Sequence, residues 1–452
     1  MRDNDRPDAS GDKSGMWPYH PDLLARPVPR YTSFPTAAEF TPAVGAAEHG
    51  AALERLTGEA SLYVHIPFCE EICWYCGCNT SRTNREARLT SYLDALHREI
   101  AVVASRLSSD VRITRIALGG GSPNAISPLE FVRLIDALTL HLPLWQPVVS
   151  IELDPRTLRP DWGLVLRCVG VTRASLGVQT LSPRLQQAIG RVQPREMIAQ
   201  STELLRKSGV TSLNFDLMYG LPGQTDEDLA ETLSGAVDME ADRVALFGYA
   251  HVPHLISRQK RIDATALPDQ AARFRMAWNG WAQLTGAGYQ PVGFDHFARP
   301  GDALAQAAVA GTLRRNFQGF TEDQAPVVIG LGASAISQFP DLIVQNEKNA
   351  GRYRMLLSQE RLPGALGVGR SASDQVTGAI IERLLCAGDA RVGRERLAMQ
   401  ASALEPFLDR GLAEVHGDYL VIRPEGLPYA RTIAALFDPY RQDSQRRFSS
   451  AV

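Results

Sequence analysis

The stretch His65-Ile-Pro-Phe-Cys69-Glu-Glu-Ile-Cys73-Trp-Tyr-Cys76-Gly-Cys78 places four cysteines within ten residues. It directly follows a run, 61–66, that has the apolar and aromatic residues of a strand. The first three cysteines have the spacing C-x3-C-x2-C, so one short loop can hold three thiolates around a single inorganic centre. Three thiolates satisfy three irons of a cubane 4Fe-4S cluster and leave the fourth iron open. An open iron suits the binding of a substrate or cofactor.

Two other uses of clustered cysteines fit this chain less well. A zinc site usually pairs two C-x2-C elements or adds histidines downstream, whereas the remaining cysteines, Cys168 and Cys386, stand alone. A disulfide framework is typical of short secreted chains, and six cysteines are few for 452 residues. The pattern therefore favours a metal centre, and an iron–sulfur cluster over zinc. Cys168 and Cys386 are interpreted as ordinary buried thiols.

The composition is that of a globular protein. Hydrophobic side chains make up 44% and charged ones 21%, and the length predicts two to three units, or one large domain with a smaller one. A net charge of −3 gives no basic surface for nucleic acid, and no apolar run reaches the ~18 residues that span a bilayer. The charged N-terminus lacks the apolar segment of a secretory signal. We therefore expect a protein of the reducing cytoplasm, with no nucleic-acid partner and no membrane span.

Short β-branched runs alternate with amphipathic stretches from about residue 60. The runs are 62–66, 113–118, 148–153, 173–178, 212–217 and 244–249, with one more at 327–331. Segments 89–107 and 128–142 have helical spacing, and Thr225 precedes three acids as a helix N-cap would. Six such alternations predict a parallel sheet with right-handed crossovers. An open doubly wound sheet and a barrel-like (β/α)n arrangement both fit, and in both the chemistry gathers at the carboxyl ends of the strands.

Polar or glycine-rich residues follow each of the six runs. In chain order these are the cysteine loop, Gly119-Gly-Gly-Ser122, Glu152, Gln179, Asp216 and Tyr249-Ala-His251. The glycine triplet is either a tight turn or a cradle for a small ligand's amino or carboxylate group. A buried carboxylate needs a partner, so Glu152 either binds a ligand or forms a salt bridge with Arg173 or Arg156, and Asp216 leaves the same choice open. Taken singly, Gln179, Arg191, His251 and His254 are typical of structural or surface positions.

One ligand would unify these features. An open iron can chelate the amino and carboxylate groups of S-adenosylmethionine and hold its sulfonium close to the cluster. One electron from the reduced cluster then cleaves the S–C bond and gives a 5′-deoxyadenosyl radical. Such a radical can remove an unactivated hydrogen, and a nearly closed barrel would keep it from solvent.

The cysteine spacing, with an aromatic residue before the third cysteine and a Gly-Gly motif after the second strand, resembles the radical S-adenosylmethionine superfamily. Further motifs resemble its oxygen-independent coproporphyrinogen III oxidases (coproporphyrinogen dehydrogenases). They are Arg30-Tyr-Thr-Ser-Phe-Pro-Thr36, Tyr63-Val-His-Ile-Pro-Phe-Cys69, Cys76-Gly-Cys78, Gly177-Val-Gln179, Asp216-Leu-Met-Tyr-Gly-Leu-Pro222, Tyr249-Ala-His251, Asp295-His-Phe-Ala-Arg-Pro300, Asn316-Phe-Gln-Gly319 and Gly332-Ala-Ser-Ala-Ile-Ser337. They cover the chain from about residue 30 to 340.

The resemblance implies an α/β fold, a partial (β/α)6 TIM-like barrel of the radical SAM type. The expected division is an N-terminal tail and arm (1–58), whose polar start is expected to be disordered, a catalytic barrel with extra strands (59–365), and a small, mainly helical C-terminal domain (366–452). Cys69, Cys73 and Cys76 would ligate the cluster, while Cys78 would not. The family's S-adenosylmethionine-contacting positions fall on Tyr63, Tyr75, Gly120, Gly121, Ser122, Glu152, Gln179, Arg191, Asp216, Ala250 and Ile336. Tyr31 and Gln318 would lie on the substrate side.

The implied reaction belongs to heme biosynthesis. Two propionate side chains of coproporphyrinogen III are oxidatively decarboxylated to vinyls, giving protoporphyrinogen IX. The radical removes a propionate β-hydrogen, CO2 leaves, and an acceptor takes the remaining electron. The resemblance further implies an electron donor such as flavodoxin or ferredoxin, and a monomeric enzyme.

Some positions depart from the family pattern. Ser122-Pro-Asn124 replaces Thr-Pro-Thr, Thr180-Leu181 replaces Asp-Phe, Gly248 replaces Asn, and the Cys-x-Phe-Arg pattern is broken after Cys386. Three alternatives stay open: a heme-binding chaperone of this family, a related enzyme that opens the heme ring, and a zinc-bound structural module. The first two usually lack the Arg-Tyr-Thr-Ser arm and the Cys-Gly-Cys ending that this chain has.

Overall fold

The computed structural model describes residues 15–82 and 86–441. The strands are β1 (Gly58–Ile66), β2 (Phe68–Cys69), β3 (Ser81–Arg82), β4 (Val111–Gly120), β5 (Leu144–Leu153), β6 (Val171–Gln179), β7 (Ser212–Tyr219), β8 (Arg243–Gly248), β9 (Gln290–Val292), β10 (His296–Ala298), β11 (Arg314–Asn316), β12 (Gly319–Thr321), β13 (Val327–Leu331), β14 (Ile336–Gln338), β15 (Leu342–Asn346), β16 (Gly364–Gly369), β17 (Asp389–Arg391), β18 (Ala413–His416) and β19 (Tyr419–Ile422).

The helices are α1 (Ala46–Glu54), α2 (Glu86–Ala104), α3 (Pro128–His141), α4 (Asp161–Val169), α5 (Pro183–Ala188), α6 (Arg195–Lys207), α7 (Asp226–Asp238), α8 (Gln270–Gly286), α9 (Ala303–Ala310), α10 (Ala350–Ser358), α11 (Ala372–Ala387), α12 (Arg394–Met399), α13 (Ala401–Leu408) and α14 (Ala430–Ala435).

A twelve-stranded sheet with the order β16-β15-β14-β13-β1-β4-β5-β6-β7-β8-β10-β9 forms the centre of the molecule. The six predicted runs are its parallel strands β1 and β4–β8, and the seventh run is β13, which pairs parallel to β1. Their apolar runs are buried, as in β1, where every residue from 60 to 66 is buried. The N-cap prediction is confirmed, because the Asp228 N–H donates to Thr225 Oγ1 at 3.2 Å at the start of α7.

The choice between an open sheet and a barrel is decided by where the strands point their side chains. Residues from all six parallel strands line one cavity of about 1360 Å³, which we call the barrel cavity. They include Ser61, Arg115, Ser150, Glu152, Arg173, Ser175, Asn214, Asp216 and Arg243. Side chains of six consecutive strands can share a cavity only when the sheet curls around it. The fold is therefore a partial (β/α)6 barrel with extra strands at both edges, as the family resemblance implies.

The N-terminal arm and the C-terminal region pack onto the barrel. One hydrophobic core runs from Trp17 through the barrel to Phe437. The disorder expected at the chain start concerns residues 1–14, which lie outside the described residues, whereas Leu24 and Val28 are buried. Helices α11–α14 and the small sheet β17-β19-β18 make up the C-terminal region. The domain boundaries at 58 and 365 stay a prediction.

Two smaller expectations can be compared with the structure. Cys386 is buried as expected, but the interpretation of Cys168 as a buried thiol is wrong, because it lies exposed on α4. Position 168 falls near the end of that short helix, on the side turned away from the sheet. None of the helices in the described part of the chain is long and apolar enough to span a membrane.

Candidate active site

The three cysteines Cys69, Cys73 and Cys76 line a single cavity of about 720 Å³ at the carboxyl ends of the strands, which we call the cluster cavity. Within residues 15–82 and 86–441, no three His, Cys, Asp or Glu side chains form a group that could hold one metal ion. A 4Fe-4S cubane is larger than one ion, so its three thiolates stand further apart than the ligands of zinc. Three thiols spread around one cavity fit a cluster better than a zinc ion.

Two arginines bring positive charge to Cys73. Arg191 Nη1 donates to Cys73 Sγ at 3.3 Å, and Arg156 Nη2 donates to the same sulfur at 3.4 Å. Both guanidiniums are held by Asp154, at 2.6 Å for Arg156 and 3.2 Å for Arg191. Burial opposes ionisation of Asp154, but the arginine charges outweigh it and lower its pKa. Both guanidiniums therefore place positive charge and N–H donors beside the sulfur that would bind iron.

The other thiols also have distinct environments. Cys69 Sγ lies 3.2 Å from Thr80 Oγ1, and the Cys78 N–H donates to Cys76 Sγ at 3.4 Å. Hydrogen bonding from Cys78 lowers the pKa of Cys76, and the same contact raises the pKa of Cys78. Cys78 also lines the cluster cavity, and the choice of Cys76 over Cys78 as the third ligand stays a prediction.

The glycine triplet packs the end of β4 against the cysteine loop. The Gly121 N–H donates to Ile66 O at 2.9 Å, and the Ser122 N–H donates to Phe68 O at 2.8 Å. A Cβ at position 121 would lie 2.4 Å from Phe68 O, so a side chain there would push the loop away. Gly120 and Gly121 also line the cluster cavity. The triplet is thus both a tight turn and a wall of the site.

Glu152 and Asp216 face the same space from β5 and β7, on either side of β6. The salt bridge considered for Glu152 does not form, because Arg156 pairs with Asp154 and Arg173 pairs with Glu322. The Gly120 N–H donates to Glu152 Oε2 at 3.2 Å, and Asp216 accepts from Ser175 and Asn214 at 3.0 and 2.8 Å.

The surroundings of these two carboxylates favour a positively charged ligand. Although the Glu152 side chain is open to the cavity, the surrounding protein desolvates it, and with the charge of Asp216 this raises the pKa of Glu152 to about 7. Burial likewise raises the pKa of Asp216. A bound cation would compensate both charges. S-adenosylmethionine, with its sulfonium and amino groups, has this property.

Most of the residues expected to contact S-adenosylmethionine meet in two adjoining cavities. Those that line the cluster cavity are Tyr75, Gly120, Gly121, Ser122, Glu152, Gln179, Arg191 and Asp216. Tyr63 and Ile336 line a second cavity, which shares Gly120 and Glu152 with the first and is also lined by Gln318, the residue expected on the substrate side. The structure thus assembles these positions, while their individual roles stay predictions.

Two expected residues lie elsewhere. Tyr31 lines neither the cluster cavity nor the barrel cavity, because its ring is buried and its hydroxyl donates to Asp438 Oδ2 at 2.9 Å. Ala250 lines a separate pocket, although its carbonyl oxygen is tied to the cysteine loop through Gln259. The Gln259 Nε2 donates to both Ala250 O and Tyr75 O, at 3.0 and 2.9 Å.

Sequence reasoning missed Asp154 and Gln259. A signal for Asp154 existed. Like Glu152 it is an acidic residue at the end of β5, and Arg156 follows it two positions later. Gln259 had no such signal, because a single glutamine in the polar segment 257–261 is typical of a surface turn. It is 1% exposed, and its amide group bonds Val252, Ala250 and, in the cysteine loop, Tyr75.

Comparisons with known proteins agree with this geometry. Residues 63–235 match the family model described as the radical SAM superfamily. The oxygen-independent coproporphyrinogen III oxidase of Bradyrhizobium diazoefficiens is 41% identical over 437 residues, which cover 94% of this chain and 97% of the relative. The enzyme of the same name from Paracoccus denitrificans is 39% identical, and the match covers 91% of this chain and 94% of that enzyme.

A solved structure extends the likeness to the whole fold. Coproporphyrinogen III oxidase from Escherichia coli, described as a radical SAM enzyme, has a TM-score of 0.88 and 33% identity, and the match covers 94% of this chain and 100% of the other. The level of identity, the coverage of both chains and the cysteine loop at the cluster cavity lead to one conclusion. The chain belongs to the oxygen-independent coproporphyrinogen III oxidase family of the radical SAM superfamily.

Proposed function

We propose that this protein is a radical SAM oxidoreductase that converts coproporphyrinogen III to protoporphyrinogen IX without oxygen, by oxidative decarboxylation of two propionates to vinyls. Relatives at 34–41% identity carry the name of this activity. The observation that carries the proposal is the meeting of three features at one cavity, namely the cysteine loop, the glycine turn and two carboxylates facing the ligand space. The enzyme uses a 4Fe-4S cluster and S-adenosylmethionine.

The residues of this chain have distinct tasks in the proposal. Cys69, Cys73 and Cys76 would hold the cluster, and when bound, the cluster and S-adenosylmethionine together supply the 5′-deoxyadenosyl radical. Arg191 and Arg156 hold the Cys73 sulfur in place through the hydrogen bonds described above. Glu152 and Asp216 attract the cationic cofactor. The curled sheet surrounds the reacting groups and limits the access of water.

The reaction also needs a source of single electrons, for which we propose a small acidic redox protein such as flavodoxin or ferredoxin. Three exposed cations lie at the cysteine loop: Arg82 Nε donates to Glu70 O at 3.0 Å, Arg261 lies over the Trp74 ring, and Lys348 accepts at its carbonyl oxygen from Asn79. Such a patch attracts an acidic partner at a rate that falls with added salt. We further propose a monomeric enzyme of the reducing cytoplasm, since one chain supplies every site residue and free thiols must persist.

Anaerobic reconstitution tests the proposal. Wild-type protein given iron, sulfide, a reductant, S-adenosylmethionine and coproporphyrinogen III should form protoporphyrinogen IX, 5′-deoxyadenosine and methionine. Cys73→Ser should abolish cluster assembly and S-adenosylmethionine cleavage together. Cys168→Ser, which changes an exposed cysteine of α4, is the control and should keep both.

Two outcomes would contradict the proposal. Cleavage of S-adenosylmethionine by Cys73→Ser would show that the radical chemistry does not depend on this loop. Tight heme binding without any porphyrinogen turnover by the reconstituted wild type would instead favour a heme chaperone.

A further inference from the structure

The histidine that begins β10 and the aspartate before it form a hydrogen-bonded pair at the wall of the barrel cavity. Asp295 Oδ1 lies 2.6 Å from His296 Nδ1, and His296 lines the barrel cavity. Burial opposes ionisation of Asp295, but the charges of His296 and two arginines outweigh it and lower its pKa. Because the Asp295 carboxylate can only accept, the proton of this hydrogen bond lies on Nδ1.

The other ring nitrogen of His296 is open to the cavity. In the part of the chain that the structure describes, Nε2 has no hydrogen-bond partner, and it is not among the fully buried polar atoms. A Cβ at position 319 would lie 3.6 Å from Nε2, so Gly319 leaves this nitrogen uncovered. The rings of Phe247 and Phe320 stand at 81° and 85° to the imidazole and fix its plane. The hydrogen-bonding position of Nε2 is therefore set before a ligand arrives.

The space in front of Nε2 adjoins the site of the radical chemistry. The barrel cavity shares Glu152, Ser175 and Asp216 with the cluster cavity. Burial raises the pKa of Asp216, and the charge of His296 opposes that rise, so these two side chains interact across the cavity. A substrate in the barrel cavity can therefore contact His296 while its reacting group lies beside the cluster cavity.

The surroundings of Nε2 favour an N–H donor over an anion. In a neutral imidazole, the proton on Nδ1 leaves Nε2 as a hydrogen-bond acceptor. Glu152 and Asp216 face the same cavity with neutral hydrogen-bond partners, so an anionic group in front of His296 would meet their repulsion. The arginines that line this cavity are already paired with carboxylates at its floor, and they are Arg115, Arg173 and Arg243.

We propose that His296 accepts a hydrogen bond from a pyrrole N–H of the substrate, and that Asp295 is the positioning residue that keeps Nε2 an acceptor. The inference rests on the proposed function, because the substrate of that reaction is a reduced tetrapyrrole with four pyrrole N–H groups. Saturated carbons join its rings, so each ring can tilt and direct its N–H to a protein acceptor. In an oxidised, planar porphyrin the N–H groups point to the centre of the macrocycle. His296 thus selects the reduced tetrapyrrole over the oxidised one.

Anaerobic equilibrium dialysis of the reconstituted holoenzyme without S-adenosylmethionine tests the proposal. The two probes are coproporphyrinogen III and its oxidised form, coproporphyrin III, which carry the same four propionates. His296→Phe keeps a ring against Phe247 and Phe320. It should raise the Kd for the reduced probe about tenfold and leave the Kd for the oxidised probe unchanged.

Asp295→Asn tests the role of the aspartate. The amide oxygen turns to the neighbouring arginines and the NH2 group donates to Nδ1, which moves the ring proton to Nε2 and makes Nε2 a donor. The Kd for the reduced probe should rise as much as in His296→Phe. Where Asp295→Asn lowers the melting temperature, the His296 variants still decide the proposal.

Two further variants separate hydrogen bonding from packing. The side chain of His296→Gln reaches about as far as Nε2 and offers a carbonyl oxygen there, so most of the affinity for the reduced probe should return. His296→Asn ends near the position of Nδ1 and should bind this probe as weakly as His296→Phe. His416→Phe is the matched control, because His416 Nε2 also lies 3.0 Å from a carboxylate, Glu414 Oε2, but on the exposed strand β18. Both of its Kd values should equal those of the wild type.

The proposal and the proposed function fail in different ways. Equal losses for both probes in His296→Phe, or full affinity in Asp295→Asn, would assign His296 to a propionate and overturn the pyrrole contact. Unchanged Kd values in His296→Phe, with normal turnover by the wild type, would overturn the role of His296 and leave the function intact. No product from the reconstituted wild type would overturn the function and this inference with it.

Discussion

At the scale of single residues, the site depends on charges that the protein leaves uncompensated. Glu152 and Asp216 are carboxylates at strand ends with only neutral hydrogen-bond partners in the described structure. The two arginines at Cys73, Arg191 and Arg156, are in contrast paired with Asp154. The cavity thus presents to the cationic groups of a ligand two carboxylates that have no ion-pair partner among the described residues.

Glu152 makes cofactor binding dependent on pH. Because its pKa is raised to about 7, Glu152 is protonated below that pH and becomes an anion above it. We expect the Kd for S-adenosylmethionine to fall as pH rises from about 6 to about 8. Glu152→Gln should weaken binding about tenfold at the higher pH and flatten this dependence. Equilibrium dialysis on reconstituted protein measures both effects.

Glu231→Gln, on the exposed face of α7, is the control for Glu152→Gln and should keep the pH dependence of the wild type. If the Kd of Glu152→Gln for S-adenosylmethionine depends on pH as steeply as that of the wild type, a group other than Glu152 titrates in this range.

At the scale of elements, three arginines and three carboxylates, Glu322, Asp323 and Asp302, form an ion-pair network at the floor of the barrel. Arg115 of β4, Arg173 of β6 and Arg243 of β8 lie near the amino-terminal ends of their strands and surround Glu322, which follows β12. Burial opposes ionisation of Glu322, but the three guanidiniums outweigh it and lower its pKa to about 2. Glu322 therefore neutralises the repulsion between arginines of three parallel strands.

Loss of this carboxylate should destabilise the fold. Glu322→Gln removes the ion-pair partner of Arg173, while Arg115 keeps Asp323 and Arg243 keeps Asp302. We expect the free energy of unfolding to fall by about 3 kcal/mol near neutral pH. The folded pKa lies below the ordinary value of 4.5, so the contribution of Glu322 is fully present above 4.5 and is lost as pH falls towards 2. Urea unfolding at several pH values measures the difference between the two proteins.

Glu130→Gln provides the comparison, because Glu130 pairs with Arg133 on the exposed surface of α3. Glu130→Gln should lower the free energy of unfolding by about 0.5 kcal/mol or less. The ion network would be contradicted if the free energies of unfolding of Glu322→Gln and wild type differ by the same amount at every pH, down to the lowest.

At the scale of the whole molecule, the N-terminal arm connects the barrel to the C-terminal region. Tyr31 donates to Asp438, and Arg315 of β11 donates to Tyr31 O at 3.2 Å. Near the start of the described chain, Tyr429 donates to Pro18 O at 2.6 Å. The arm is therefore packed between two regions that are far apart in sequence.

Tyr31→Phe should loosen this packing. It leaves the buried Asp438 without its hydroxyl partner, and we expect the protection of the arm's amides against hydrogen exchange to drop by about 1–3 kcal/mol. Tyr419→Phe, at a position that is 46% exposed, should leave exchange unchanged. A raised KM for substrate with normal protection of the arm would instead support the substrate-side role expected for Tyr31.

The sequence alone determined the cysteine loop, the six parallel strands and the carboxylates at their ends. These features are local, because each is visible in a few adjacent positions. Strands show alternating apolar residues, the cysteine loop shows cysteines three and four residues apart, and the carboxylates follow apolar runs. Parallel strands must share one edge at their carboxyl ends, so the strand pattern was enough to group Glu152, Gln179 and Asp216 at one site.

Only the tertiary structure decided how charges pair across the chain. Arg156 and Arg191 share Asp154, Tyr31 turns to Asp438, and Gln259 joins Ala250 to the cysteine loop. A pocket beside the barrel, lined by Arg30, Arg273 and Arg431, likewise combines the arm, α8 and α14. The separation in sequence ranges from two residues for Arg156 and Asp154 to 407 for Tyr31 and Asp438. Whether such groups pair is set by packing, and their electrostatic energy depends on burial and distance, which no local pattern in the sequence contains.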